Sequence, residues 1–198
     1  MGIYLKHWSK LNNIHGAAIG YLSSYSLLLI LINFLQNIVK PSVLPDLQNI
    51  PINDDFENPK YGEKDYNYYH GRKKVYTNIY FEENFEKIDK YMNFINKGEK
   101  NKESVGNLLL KFFEYYAYYY DNKNIISINN KSIDSISNNK HKNNGFTIED
   151  PFESKHKPGN SLKLYSSEYC KFINCMKKEI NFILSGEYIE RFAKIMKQ

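Results

Sequence analysis

Only two cysteines, one tryptophan and six prolines occur in the 198 residues. Neither a Cys-x-x-Cys pair nor a histidine-rich cluster is present, which excludes a structural zinc site of the usual spacing. Cys170 and Cys175 stand five apart in a segment of helical pattern. Successive side chains on a helix rotate by about 100°, so the two thiols diverge and no disulfide is expected. The first residues carry no charged-then-apolar signal ending in small side chains. These absences predict a reduced, intracellular and cytoplasmic setting.

Charge is missing from one long stretch. Leu11 to Val39 contains no Lys, Arg, Asp or Glu, and Tyr21 to Leu35 is strongly apolar. A spanning helix is still not expected. Ser23 is a suitable N-cap, because its hydroxyl accepts an otherwise unpaired backbone NH, and Pro41 stops the helix just after Val39. About 15 residues at 1.5 Å each reach roughly 23 Å, short of a hydrocarbon core of about 30 Å. A short helix that is apolar all round belongs at the centre of a packed core. No membrane partner is therefore expected.

Elsewhere the chain is polar and mildly basic. A net charge of +5, from 27 basic and 22 acidic residues, suits a phosphate-bearing partner. The general richness in Asn, Lys, Ile and Tyr explains part of that charge by composition alone. At 42% hydrophobic residues, the chain is long enough for one large core or two small ones.

Helical spacing is present from Ile3 to Asn12, where Lys6 and Lys10 share one side and Ile3, Trp8 and Leu11 are available for packing. A chain that opens inside a working helix looks like the end of something longer. After the central helix, the run from Lys40 to Asp46 contains Pro41 and Pro45 and reads as an extended connector. Residues 51 to 80 are mostly polar and read as a mobile surface loop. Periodicity returns at Phe81 to Asn96, with Phe85, Ile88, Met92 and Ile95 spaced for one face and Gly98 beyond as the cap. Leu108, Leu109, Phe112, Phe113 and Tyr116 form a broad apolar stripe within Ser104 to Tyr120. Two short strands are expected at Ile125 to Ile128 and Phe146 to Ile148, separated by an Asn-, Lys- and Ser-rich insertion at 129 to 145 that reads as disordered. Two amphipathic helices are expected at Ser166 to Leu184 and Gly186 to Lys197. The fold class is mainly α with a small β element.

Several polar residues suit a nucleotide, although each also has an ordinary structural use. Lys6 and Lys10 lie one helical turn apart and can reach one anion together, or simply form a solvated face. Ser23, Ser24 and Tyr25 open the central helix, where free NH groups and the dipole favour an anion, or where plain capping suffices. Asp150 precedes Pro151, a common turn opener, and stands six before His156, with Glu153 three before it.

Taken together, Lys6-His7-Trp8-Ser9-Lys10, Gly20-Tyr21-Leu22-Ser23-Ser24-Tyr25 and Ile148-Glu149-Asp150-Pro151-Phe152-Glu153, followed by His156, resemble the terminal uridylyltransferases and related poly(A) polymerases. These form a branch of the polymerase β-like nucleotidyltransferases that adds nucleotides to RNA 3′ ends. The connector from Val39 to Pro45, the helix from Gly106 to Ala117 and the strand from Ile125 to Ile128 resemble further parts of that family.

The resemblance implies that Lys6 and Lys10 bind the triphosphate, Ser24 donates to phosphate and Tyr25 stacks on the base. It also implies that Asp150, Glu153 and His156 meet the base. A histidine NH aimed at O4 would favour uracil, because cytosine and adenine present an amino donor at the corresponding edge. UTP is then the substrate and an RNA 3′ end the partner. Poly(A) polymerase activity of the same branch is the alternative, as is a non-catalytic RNA-binding or nucleotide-binding module.

Two departures qualify that reading. Lys157 and Asn160 stand where the family usually has Asn and a basic residue. In addition, the family's Gly-Ser followed by Asp-x-Asp, which holds its Mg2+ or Mn2+ ions, occurs nowhere in the chain. Adjacent Asp54 and Asp55 cannot replace it on a strand, since neighbours there point to opposite faces. The expectation is a fragment: residues 1–50 from a helical central domain, 51–80 as the loop and 81–198 as the PAP-associated domain. Its N-terminal catalytic palm would be a missing partner. No catalytic or metal-binding residue is assigned, so the chain alone is expected to be silent.

Overall fold

A computed structural model describes residues 1–70, 73–129, 145–153 and 156–186. Three serines open helices in the same way. Ser23, Ser104 and Ser166 each hold extended φ/ψ values and accept the NH three residues ahead, from Ser26, Asn107 and Tyr169. Each hydroxyl thereby satisfies one of the donors that a helix start leaves unpaired. The helices are α1 (Gly2–Leu11), α2 (Ser24–Asn33), α3 (Phe85–Ile95), α4 (Val105–Glu114) and α5 (Ser167–Leu184). α2 and α4 each run on through a π-helical turn, Phe34–Ile38 and Tyr115–Tyr119. The α2 helix with its extension stops before Val39, close to the predicted end.

One buried cluster joins the two ends of the chain. Trp8 of α1 is fully buried and meets Phe113 of α4 and Phe172 of α5 edge-on, with centroids 4.9 and 5.7 Å away. Phe34 of the α2 extension meets Phe112 at 5.4 Å, nearly perpendicular. Side chains of this size contribute about 1.5–3 kcal/mol each when fully buried, and edge-on aromatic pairs add to that. The stripe read from α4 is this core: Leu108, Leu109, Phe112, Phe113 and Tyr116 are all buried. Among the described residues, no helix is long and apolar enough to cross a membrane.

The strands are small. β3 (Ile125–Ile126) and β4 (Thr147–Ile148) pair in parallel, with Ile126 opposite Ile148, at the positions the sequence indicated. Asn33 of α2 ties this pair to the core by donating from Nδ2 to the Ser127 carbonyl at 2.7 Å. The ladder continues as the Glu149 NH reaches the Ile126 carbonyl at 2.9 Å, which places Asp150 just past the end of β4. The fold is thus mainly α with small β elements.

Two expectations need correction. Within 51 to 80, read as loop, β1 (Asp65–His70) and β2 (Lys73–Asn78) form an antiparallel hairpin with Asp65 opposite Asn78. Its base is closed by the Asn78 amide, which accepts from the Lys64 and Tyr80 NH groups and donates to the Gly62 carbonyl, each at 2.9 Å. α3 starts at Phe85 rather than Phe81, because Asn84 caps it by accepting the Lys87 NH. Phe85 is 84% exposed and no α3 residue is buried. The helix meets the connector instead of a packed layer: Asn96 exchanges hydrogen bonds with the Ser42 backbone at 2.8 and 3.0 Å. At its other end Lys87 bridges Glu82 at 3.0 Å and Asp54 at 3.5 Å. Gly98 beyond it has φ +78°, as a helix-ending glycine requires. The insertion at 129–145 and the last helix at Gly186 to Lys197 fall almost wholly outside the described residues.

Candidate nucleotide site

α1 turns Trp8 inward, and at about 100° per residue the side chains of Lys6 and Lys10 then lie roughly opposite it, within about 40° of each other. Both lysines are exposed. α2 begins beside them. Lys6 and Ser24 line one groove of about 660 Å3, together with Tyr4, Leu27, Leu28 and Val105. Ser24 is half-buried, and its Oγ lies 3.4 Å from Nε2 of His15. Burial and the charges of Lys10 and Lys6 hold the His15 imidazole below its ordinary value.

One residue further on, Tyr25 is 38% exposed and lies nearly parallel to His156, with an interplanar angle of 10° and centroids 6.4 Å apart. These residues are 131 positions apart in the chain. Their meeting is arranged by hydroxyl groups that the sequence reading did not single out as site residues. Ser26 of α2 donates to the Pro158 carbonyl at 2.9 Å, and Ser161 donates to the Tyr21 carbonyl at 2.7 Å. The loop after His156 is thereby stitched to the start of α2. Gly159 permits the close approach, because a Cβ there would lie only 2.0 Å from the Phe146 carbonyl oxygen. The Gly in Lys157-Pro158-Gly159 was the available signal, since a Pro-Gly pair marks a tight turn.

Asp150 organises the loop that carries His156. Its Oδ1 accepts the NH groups of Phe152 and Glu153 at 2.9 and 3.1 Å, folding the loop, while Oδ2 meets Nδ1 of His156 at 2.6 Å. Burial opposes ionisation of Asp150, but the hydrogen bonds from His156, Phe152 and Glu153 outweigh it and hold the carboxyl below the usual range. An ionised carboxylate only accepts, so Nδ1 carries a proton and Nε2 is the ring nitrogen left for a ligand. Glu153 contributes its carbonyl to the turn, accepting the His156 NH at 2.8 Å. Burial and the charges of Asp150 and Glu153 push the Tyr25 hydroxyl up to about 12, so the phenol stays neutral.

The described residues do not fit a catalytic metal. No group of three or more His, Cys, Asp or Glu stands together among them. Asp55 folds onto its own loop by accepting from the Glu57 and Asn58 NH groups, and Asp54 is engaged with Lys87.

The arrangement offers two ammonium groups and a hydroxyl on one side, and a phenol with an anchored imidazole on the other. Residues 104–156 match the model of the Cid1 family poly A polymerases, the PAP-associated domain. Human terminal uridylyltransferase 7 is 33% identical over 183 residues, covering 89% of this chain and 10% of that protein. The poly(A) RNA polymerase cid11 of Schizosaccharomyces pombe is 25% identical over 211 residues, covering all of this chain and 36% of that protein. A crystal structure of a mutant Cid1 poly(U) polymerase bound to MgATP shares the fold with a TM-score of 0.64 at 22% identity, over 96% of this chain and 52% of that one. A complex of Cid1 with the UTP analogue UMPNPP gives a TM-score of 0.60 at 22% identity, over 90% and 51%. The chain is thus similar to terminal uridylyltransferases and poly(A) polymerases along most of its length. It spans 10% and 36% of the lengths of these two curated relatives and about half of the solved chains.

Proposed function

We propose that these residues form the UTP-binding half of an RNA 3′-terminal uridylyltransferase. The observation that carries the proposal is the parallel pair of Tyr25 and His156, with the imidazole anchored by Asp150. A base laid on the phenol presents its edge to His156. Lys6 and Lys10 hold the triphosphate, Ser24 donates to it, and Asp150 and Glu153 support the base end.

Selectivity follows from which atoms carry protons. With Nδ1–H committed to Asp150, the outward Nε2 donates when the ring bears both protons and accepts when the ring is neutral. The doubly protonated ring matches the O4 acceptor of uracil and leaves a donor facing the amino group of cytosine or adenine. An unmatched buried donor costs about 1–3 kcal/mol, enough for a preference of roughly tenfold or more.

The metal that assists transfer, Mg2+ or Mn2+, neutralises charge on the reacting phosphates when bound, and its ligands lie outside the described residues. We assign them to an N-terminal palm that docks against the groove beside Lys6 and Ser24. The apolar character of Ile3, Leu28 and Val105 there, each 44 to 60% exposed, supports that assignment. The proposal keeps the three-part division at residues 50 and 80, with one buried cluster holding side chains from its first and third parts. The complete enzyme would work in the cytoplasm.

Calorimetry with UTP and ATP tests the reading. Where the ring carries both protons, UTP should bind the chain at least tenfold more tightly than ATP, and His156→Asn, whose amide offers both a donor and an acceptor, should erase the difference. Tighter ATP binding would instead favour a poly(A) polymerase. Binding of RNA without either nucleotide would indicate a non-catalytic RNA-binding module.

A further inference from the structure

His15 lies in the turn between α1 and α2, and the nucleotide reading gives it no task. Its Nδ1 is 3.2 Å from Ser9 Oγ, and its Nε2 is 3.4 Å from Ser24 Oγ. Ser9 is fully buried and donates its hydroxyl to the Lys6 carbonyl at 2.9 Å. A serine hydroxyl has one hydrogen. With that hydrogen committed to Lys6, Ser9 Oγ can only accept from the ring, so Nδ1 carries a proton. The Nε2 of a neutral ring is then a bare acceptor, and the Ser24 hydroxyl must supply the hydrogen across that contact.

The consequence concerns phosphate. While His15 is neutral, Ser24 points its hydrogen at the ring and turns lone pairs toward any anion beside Lys6 and Lys10. When the ring gains a second proton, Nε2–H donates to Ser24 Oγ, and the hydroxyl hydrogen is free to face the anion. We propose that His15 is a proton-operated positioning residue of the phosphate subsite: triphosphate binding draws one proton from solvent onto its ring and converts Ser24 into a phosphate donor. This rests on the nucleotide reading, because it needs the triphosphate to lie against Lys6, Lys10 and Ser24.

The surroundings agree with the direction of the coupling. Burial and the two ammonium groups, Lys10 and Lys6 from α1, disfavour the imidazolium in the free chain. From α5, Lys171 donates to the Asn13 carbonyl at 3.1 Å, and Glu168 packs against Gly20 in the same turn. A bound triphosphate offsets the ammonium charges and adds its own negative charge, which removes the main electrostatic obstacle to the second proton.

The experiment uses the full chain and inorganic tripolyphosphate. The His15 ring is followed by NMR from pH 5 to 8, free and saturated with the anion, and affinities are measured by calorimetry for wild type, Ser24→Ala, His15→Asn and the double variant. The His15 midpoint should rise on saturation. Wild-type affinity should fall by about tenfold more between pH 6 and 8 than that of His15→Asn, the scale of a hydrogen bond to a charged group. In the Ser24→Ala background, His15→Asn should change that pH dependence much less than it does in wild type. His15→Gln serves if the Asn variant does not fold. A midpoint unmoved by bound anion, or an equal effect of His15→Asn with and without Ser24, overturns the proposal and leaves the nucleotide reading standing. Failure of tripolyphosphate to bind, or binding indifferent to Lys6→Ala with Lys10→Ala, overturns both.

Discussion

His156 meets a carboxylate at 2.6 Å, whereas His15 faces the ammonium groups of Lys6 and Lys10. His156 belongs to a loop held by Asp150, and the carboxylates of Asp150 and Glu153 lie beside the imidazole and the Tyr25 phenol. The phosphate end is built on two helices and presents two cations and a hydroxyl. One residue type thus meets opposite surroundings, which under the proposed function would suit the two ends of a nucleotide, one neutral and aromatic and one highly anionic.

That contrast can be broken most directly at the cations. Replacing Lys6 and Lys10 with alanine should weaken UTP binding on the order of a hundredfold, from charge-assisted contacts of about 1.5–3 kcal/mol each, while uridine binding stays unchanged. Equal losses for UTP and uridine in calorimetry would show that the lysines do not serve the phosphates alone. Next in size, Tyr25→Ala should cost about tenfold for UTP and ATP alike, since stacking contributes about 1–3 kcal/mol without choosing a base. A loss confined to UTP would reassign base choice to the phenol.

A smaller effect is expected at Asp150. Its carboxyl is held below the ordinary range in the folded chain, so the stability it contributes is complete above the unfolded value near ~4 and is lost as pH falls through the lower folded value. Thermal melts from pH 6 to 2.5 should therefore show a steeper acid loss for wild type than for Asp150→Asn, by about 1 kcal/mol. Parallel melts would deny the carboxylate its anchoring role. The smallest effect belongs to the stitch between the ends. Ser161→Ala should cost about 0.5–1.5 kcal/mol in urea unfolding and lower the UTP preference without changing tripolyphosphate affinity. A change in tripolyphosphate affinity would show that the two ends are not separable.

The pieces that could be read in advance are those governed by local spacing. The Ser23 cap, the all-apolar α2 and the α4 stripe follow from period and chain length, and the structure agrees with them. The family resemblance points to Lys6, Lys10, Ser24, Tyr25, Asp150, Glu153 and His156 as a set, and the structure places the phenol against the imidazole and Ser24 beside Lys6. The hairpin was hidden because its turn-forming polar residues outweighed its Tyr, Val and Thr content, and because closure depends on one Asn78 amide bridging three backbone groups. His15 was hidden for a similar reason: its role depends on which hydrogen Ser9 has already used.

From the sequence by itself came the helices, their caps and the chemical types gathered for a nucleotide, because period and side-chain class act over a few neighbouring residues. Only the tertiary structure decided that Tyr25 would lie against His156 and that Ser24 would touch His15. The first contact depends on a shared aromatic core and on hydroxyl bonds that join segments more than a hundred residues apart, and the second on how the turn between α1 and α2 folds back on itself.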